Sequence, residues 1–179
     1  MLYYVTSNKE KIITAKKHLD PHNISFTPKT FPITEIQSDS IEEITRDKAN
    51  QAFEILKQPL LVSDHGWDIP GLNGFPGPYM KYMNEWFSSQ DFLNLTKDLK
   101  DRTIILHDVT CFKDSETTKV FKADFHGTLI KELRGKADPA MSIVTFDNIK
   151  TVAEYMEEKI SPFKENAVWE EFAEWYIKR

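Results

Sequence analysis

Between Thr6 and Lys11 the chain sets two hydroxyls, an amide and two lysines just ahead of a helical pattern. Free N–H groups and the macrodipole at a helix N-terminus favour an anion, so this loop suits phosphate. Ser7 with Glu10 also has the form of a capping box, in which case the hydroxyl only caps and the lysines are solvated. Lys48 follows Ile44 and precedes Ala52 at i+4 spacing, which puts an ammonium on an apolar helical stripe. It either lays its stem on the core with its head in water or meets an anion there. Asp64 closes the short apolar run Leu60 to Val62 and is followed by Gly66. Ligands of open α/β sheets gather where strands end, so this position fits metal binding or base work. Glu35, in a proline-bounded stretch, is a second carboxylate, and two such oxygens with phosphate oxygens are what Mg²⁺ takes while keeping waters. The alternative for Glu35 is a solvated loop residue. Neither His65 nor His126 has the paired spacing of a transition-metal site, and neither a GxSxG nor a Walker A run occurs.

The elements that must hold these residues follow from pattern. Leu2 to Val5 is a β-prone run, and Ile12, Ala15 and Leu19 form a helical stripe after the loop. Pro21, Pro28 and Pro32 leave room for a short strand near Ile24 to Phe26. Ser40 with Glu43 repeats the capping signature, and Ile41, Ile44, Ala49, Ala52, Phe53 and Leu56 make a helix ended by Pro59. After the strand at Leu60 to Val62 comes the breaker-rich stretch Pro70 to Pro78, then helices over Tyr79 to Phe87 and Asp91 to Leu99. Thr103 to Phe112 and Thr118 to Leu129 read as a hairpin around Lys113 to Thr117. A last strand at Ser142 to Phe146 and helices at Ile149 to Lys159 and Glu165 to Ile177 complete a mixed α/β pattern without repeats or a flexible linker, expected as one domain over residues 1–179.

Composition narrows the function. Forty per cent hydrophobic residues against 28% charged excludes wholesale disorder, and a net charge of -5 argues against a nucleic-acid coat protein. The acidity is local, since seven glutamates and two lysines lie between Glu154 and Glu174. A lone Cys111 in a strand-like run suits a reducing compartment and a core position more than a reactive thiol. No run reaches the roughly 18 apolar residues of a membrane span. A soluble cytoplasmic protein is expected.

Three stretches in order, TSNKEK at Thr6 to Lys11, EIQSDSIEEITRDKA at Glu35 to Ala49 and LVSDHGWDIPGLNGFPGPYMKY at Leu61 to Tyr82, resemble the inosine triphosphate pyrophosphatase family. Those enzymes hydrolyse non-standard purine nucleoside triphosphates to monophosphate and pyrophosphate. The family pattern is a Thr/Ser-x-Asn-x-x-Lys loop, a Glu before a helix bearing Lys, an acidic pair and a Leu-x-Gly-x-Pro-Gly segment. The resemblance implies an elongated α/β fold with a mixed sheet and flanking helices in two lobes around a central cleft, and usually a homodimer. Carried over, Thr6, Asn8 and Lys11 hold the triphosphate, Glu35 binds Mg²⁺, Lys48 contacts phosphate, and Asp64 serves metal and water activation; Ser7, in the same loop, is counted as a further substrate contact. Lys11, Lys48 and Asp64 form the catalytic set.

The likeness breaks in three places. Ser63 stands where the family has an acid beside the Asp. Gly135, Lys136, Ala137, Asp138 and Pro139 replace an aromatic Phe-Gly-Tyr/Trp-Asp-Pro segment, keeping only Asp138 as a substrate contact. Trp169, Glu170 and Glu171 replace a Ser-His-Arg that helps to hold the base. Carboxylates oppose a purine 6-keto oxygen, which needs donors. The expectation is therefore a pyrophosphohydrolase with a base preference other than inosine or xanthosine, with Glu170 or Glu171 favouring an exocyclic amine and Trp169 either stacking or packing. The wet face of an amphipathic helix is the competing reading for both glutamates. The altered motifs also leave open a non-catalytic nucleotide-binding homologue, or a hydrolase of another phosphorylated metabolite.

Overall fold

The computed structural model describes residues 1–163 and 167–179. Strand β1 (Leu2–Val5) leads through the Thr6 loop to helix α1 (Lys9–Leu19). The helix starts one residue later than a Ser7 cap requires. Thr6 Oγ1 accepts the Asn8 N–H at 3.1 Å, and the turned loop lets Asn8 Oδ1 take the N–H groups of Glu10 and Lys11 at 2.9 and 3.2 Å. Asn8 is the cap and Ser7 is exposed. Strand β2 is Phe26–Lys29, not Ile24 to Phe26, and it pairs in parallel with β1 from Leu2↔Phe26 to Val5↔Lys29. Pro28 is tolerated because β2 is an edge strand, where a missing N–H leaves no ladder bond unmade.

Helix α2 (Ile41–Leu56) is capped by Ser40, which accepts the Glu43 N–H, and ends at Lys57 in the left-handed region. The Glu43 carboxylate takes the Ser38 hydroxyl at 2.7 Å, so Ser40 caps in one direction. Strand β3 runs from Leu60 to Asp68, beyond the expected Val62, because Trp67 and Asp68 pair with the short antiparallel β4 (Pro76–Gly77). Helices α3 (Met80–Trp86) and α4 (Ser89–Thr96) follow, α4 opened by a Ser88–Asp91 capping box. The hairpin expected around Lys113 to Thr117 is β5 (Thr103–Lys113) and β6 (Thr118–Leu129), its turn closed by the Asp114 carboxylate on the N–H groups of Glu116 and Thr117. Strand β7 is only Val144–Thr145, since Ser142 belongs to a 3₁₀ turn. Helix α5 (Val152–Glu157) starts late because the Asp147 carboxylate holds the N–H groups of Ile149 and Lys150 in a turn. Helix α6 is described over Ala167–Tyr176, and the expected start at Glu165 lies outside the described residues.

The sheet is mixed, with seven strands ordered β2-β1-β3-β5-β6-β7 and β4 paired to β3. The chain forms two compact units, with boundaries inside β3, β5 and β6. The first holds Met1–His65, Asp108–Ala123 and the segment carrying α6. Alternation along its strands covers both faces, as parallel strands require. Leu2, Tyr4 and Leu61 pack with Leu19 of α1 and Trp169 and Phe172 of α6, whereas Val5, Leu60 and Val62 pack with Ala49 and Ala52 of α2. Cys111 is buried in that second cluster, and burial pushes its thiol up to about 11, as befits a core cysteine. The second unit has its own cluster, in which Ile69, Phe92, Ile104, Leu129 and Ile143 are fully buried. Among the described residues no helix is long and apolar enough to cross a membrane.

Candidate active site

Parallel pairing of Tyr3 and Tyr4 with Leu60 and Leu61 ends one residue before β1 does, so β3 continues past the carboxyl end of β1. Asp64 lies in that overhang. It is inside a strand rather than at its tip. From α1, Lys11 reaches it: Nζ donates to the Ser63 carbonyl at 2.8 Å and lies 3.6 Å from Asp64 Oδ1. From α2, Lys48 reaches it with Nζ 2.5 Å from Asp64 Oδ2 and 2.5 Å from Glu35 Oε2. The His65 N–H donates to Asp64 Oδ1 at 3.0 Å. Two lysines, an aspartate and a glutamate from four parts of the chain thus meet, and the lysine on the apolar stripe of α2 meets anions.

The charges shape one another. Burial raises the Asp64 carboxyl, but Lys11 and Lys48 outweigh it and hold the group below the usual carboxylate range. Burial lowers the Lys48 ammonium, and Asp64 and Glu35 more than reverse this. For Lys11 burial wins over the attraction of Asp64 and Asp108, so its ammonium is held below the ordinary lysine value. Tyr4, behind the site, hydrogen-bonds the Ser63 hydroxyl, and burial pushes its phenol well above its usual value. The residue standing where the family has an acid is therefore spent on an internal hydrogen bond.

Both carboxylates are hard oxygen donors, and both reach one point, the Lys48 nitrogen. Among the described residues no group of three or more His, Cys, Asp or Glu can hold a metal ion by protein alone. The donor set suits an ion that completes its shell with water and phosphate oxygens, which is the habit of Mg²⁺, and it does not suit zinc.

The remaining expected contacts fall elsewhere. Trp169 is 3% exposed and meets the Tyr4 ring edge-on at 5.5 Å, so it packs in the core and offers no free face for stacking. Glu170 is bound by two imidazoles, His18 Nδ1 at 3.2 Å and His22 Nε2 at 3.0 Å, and these hold its carboxyl below the usual range. Its oxygens tie α6 to the end of α1 rather than await an exocyclic amine. Glu171 is exposed. Asp138 is exposed in the second unit, before the 3₁₀ turn Pro139–Ser142. His65, weighed from the sequence only as a transition-metal ligand, neighbours the site, and Asp108 on β5, whose Oδ1 lies 3.2 Å from His65 Nε2, escaped the sequence reading. The available signal was an acid inside the apolar run from Thr103 to Phe112.

Over 131 residues the chain is 34% identical to a dITP/XTP pyrophosphatase of Saccharolobus solfataricus, spanning 73% of this chain and 68% of that one. It is 32% identical to a dITP/XTP pyrophosphatase of Methanopyrus kandleri, spanning 97% and 94%. In fold it matches a HAM1 protein from Coxiella burnetii with a TM-score of 0.81 at 19% identity over the full length of both chains. The Ham1 protein of Staphylococcus aureus matches with a TM-score of 0.77 at 21% identity over 99% of each chain. Residues 2–168 match the model of the Ham1 family, and the chain belongs to that family.

Proposed function

We propose that this chain hydrolyses a nucleoside triphosphate to the monophosphate and pyrophosphate in a Mg²⁺-dependent reaction. The observation that carries the reading is the convergence of Lys11 and Lys48 on Asp64, with Glu35 on the same Lys48 nitrogen, beside the Asn8-capped end of α1. It is supported by the activity named for relatives, among them one 34% identical to the chain over 131 aligned residues. Thr6, Ser7 and Asn8 belong to the loop at the positive end of the α1 macrodipole, which favours the phosphate chain, while the Glu10 and Lys11 N–H groups serve the Asn8 cap. Lys11 and Lys48 stabilise charge that develops on the phosphoryl oxygens, and Asp64 orients the attacking water. Glu35 and Asp64 would hold Mg²⁺, which when bound neutralises the phosphates and favours departure of pyrophosphate.

We further infer a base preference other than inosine or xanthosine. The reading rests on Gly135 to Pro139, which lacks the family's aromatics, and on Trp169, which is committed to the core. An acceptor for an exocyclic amine is not supplied by Glu170, whose oxygens are bound by His18 and His22. We assign the assembly as a homodimer on the family likeness, and light scattering checks it.

The deciding experiment measures pyrophosphate and phosphate release across ribo- and deoxynucleotides, including inosine, xanthosine and amino-bearing bases. Pyrophosphate release that requires Mg²⁺ and stops with chelator is expected. Nucleotide binding that raises the melting temperature with no pyrophosphate released overturns the enzymatic reading.

A further inference from the structure

Helix α2 makes one contact that the phosphate and metal assignments leave unused. Residues 31–39 belong to no strand or helix, and among the described residues no backbone-to-backbone hydrogen bond holds them. Glu35 lies in this stretch with its side chain 56% exposed, yet its carboxylate is one of the two assigned to Mg²⁺. A carboxylate on such a segment would have to be ordered by the ion itself, at an entropic cost that weakens binding. Thr34, the residue before it, is held by both of its backbone groups. Gln51 Oε1 accepts the Thr34 N–H at 3.0 Å, and Gln51 Nε2 donates to the Thr34 carbonyl at 2.7 Å, the pairing a neighbouring strand would make. The second amide hydrogen goes to Asp47 Oδ2 at 2.6 Å, four residues back on the helix. An amide oxygen accepts and an amide nitrogen donates, so the three bonds fix which way round the Gln51 head lies. Gln51 stands one turn beyond Lys48, whose Nζ meets Glu35 Oε2 at 2.5 Å. One side of α2 thus docks two consecutive loop residues, Thr34 by an amide and Glu35 by an ammonium.

Resting on the assignment of a Mg²⁺-dependent pyrophosphohydrolase, we propose that Gln51 is a positioning residue, which fixes the backbone at Thr34 so that the Glu35 carboxylate is in place for the metal ion. Asp47 braces the amide, and both residues act through Glu35 rather than on the ion. Packing does not replace the clamp. Phe31 and Ile33 rest on the core cluster of Val5 and Val62 ahead of Thr34, whereas Ile36, after Glu35, is 39% exposed. Among the described residues the next hydrogen-bonded tie along the loop is at Ser38, whose hydroxyl meets Glu43. The Gln51 clamp therefore sets the direction in which Glu35 leaves the anchored chain.

The test titrates Mg²⁺ by calorimetry into the full chain loaded with an analogue of the nucleotide that the wild type turns over fastest, its α,β-bridging oxygen replaced by methylene. Gln51→Ala, which keeps a strong helix former, is expected to raise the Mg²⁺ dissociation constant by about tenfold, the low end of what losing a partner behind a metal ligand costs. In the Glu35→Gln background the same Gln51→Ala change is expected to shift the constant by less than about twofold, since the route through Glu35 is already gone. A merely structural role would carry the full loss into both backgrounds. Should Glu35→Gln bind Mg²⁺ too weakly to titrate, hydrogen exchange of the Thr34 amide in the nucleotide-free chain decides, with exchange at least about tenfold faster in Gln51→Ala than in wild type expected. An unchanged dissociation constant in Gln51→Ala, an equal loss in the Glu35→Gln background, or an unchanged Thr34 exchange rate overturns the proposal while leaving the enzymatic reading intact. A wild type that releases no pyrophosphate overturns both.

Discussion

Asp64 carries the negative charge on which Lys11 and Lys48 converge, so its removal tests the site most directly. Asp64→Asn keeps the shape and is expected to lower turnover by at least about 10²-fold, read as initial rates of pyrophosphate release. Wild-type rates in that variant would take Asp64 out of the reaction. Lys48 was legible from its place on the stripe of Ile44 and Ala52, because i+4 spacing fixes a helical face whatever the fold. Glu35 was legible only through the family pattern, since a loop residue has no period to betray its direction. Trp169 and Glu170 were left between substrate contact and packing for a different reason. Periodicity shows that a helix has an inner and an outer face but not what packs against either. Their partners, Tyr4, His18 and His22, come from residues about 150 positions away, which only the folded chain brings near.

At the level of elements, the cap of α1 ties stability to the proposed phosphate site. Asn8 Oδ1 accepts two N–H groups at the end where phosphate is expected. Asn8→Ala is expected to cost about 1 kcal/mol in denaturant unfolding. A rise in KM with little change in kcat should accompany it, as a ground-state contact would show. The sequence pointed to the right loop but chose Ser7, because both residues are good caps and only the Thr6 turn decides which reaches the helix. Helix α5 and strand β7 came out shorter than expected, since side-chain hydrogen bonds from Asp147 and a 3₁₀ turn use backbone that apolar pattern alone assigns to helix and strand. Gly135 makes a further test in the second unit. Its φ is +72°, and a Cβ there would meet the Glu154 nitrogen at 2.7 Å and Ala153 at 2.9 Å. Gly135→Ala combines strain with overlap against backbone and is expected to destabilise by more than about 1 kcal/mol, seen as a lower denaturation midpoint.

For the molecule as a whole, mixed α/β class was legible because strand and helix periods differ, whereas its division into two units was not, since the boundaries fall inside strands β3, β5 and β6 with no linker to mark them. In the second unit His107 bridges two acids, Asp68 at 3.2 Å and Asp124 at 2.7 Å, across neighbouring strands. Burial lowers its pKa, but the two carboxylates outweigh that and raise it above the ordinary 6.5. A raised histidine stabilises the fold fully below its unfolded value and loses that contribution as pH climbs through the folded value. His107→Gln is therefore expected to melt below wild type at pH 6, with the gap closing as pH rises above the ordinary histidine range. Both acids are well exposed, so solvent screening keeps the effect below about 1 kcal/mol. A gap that widens with pH would contradict the bridge.

The grip of Lys48 on Glu35 and Asp64 has a thermodynamic corollary. A divalent ion that uses those two carboxylates does not arrive at bare anions; it trades places with a cation the polypeptide already owns. Affinity for the ion alone is then an exchange constant, kept low until nucleotide brings phosphates to receive the displaced amine. Lys48→Met should uncouple the two partners: isothermal titration is expected to show tighter Mg²⁺ binding by the nucleotide-free variant than by wild type, even as turnover collapses. Equal or weaker Mg²⁺ binding by the variant would mean that amine and ion do not compete.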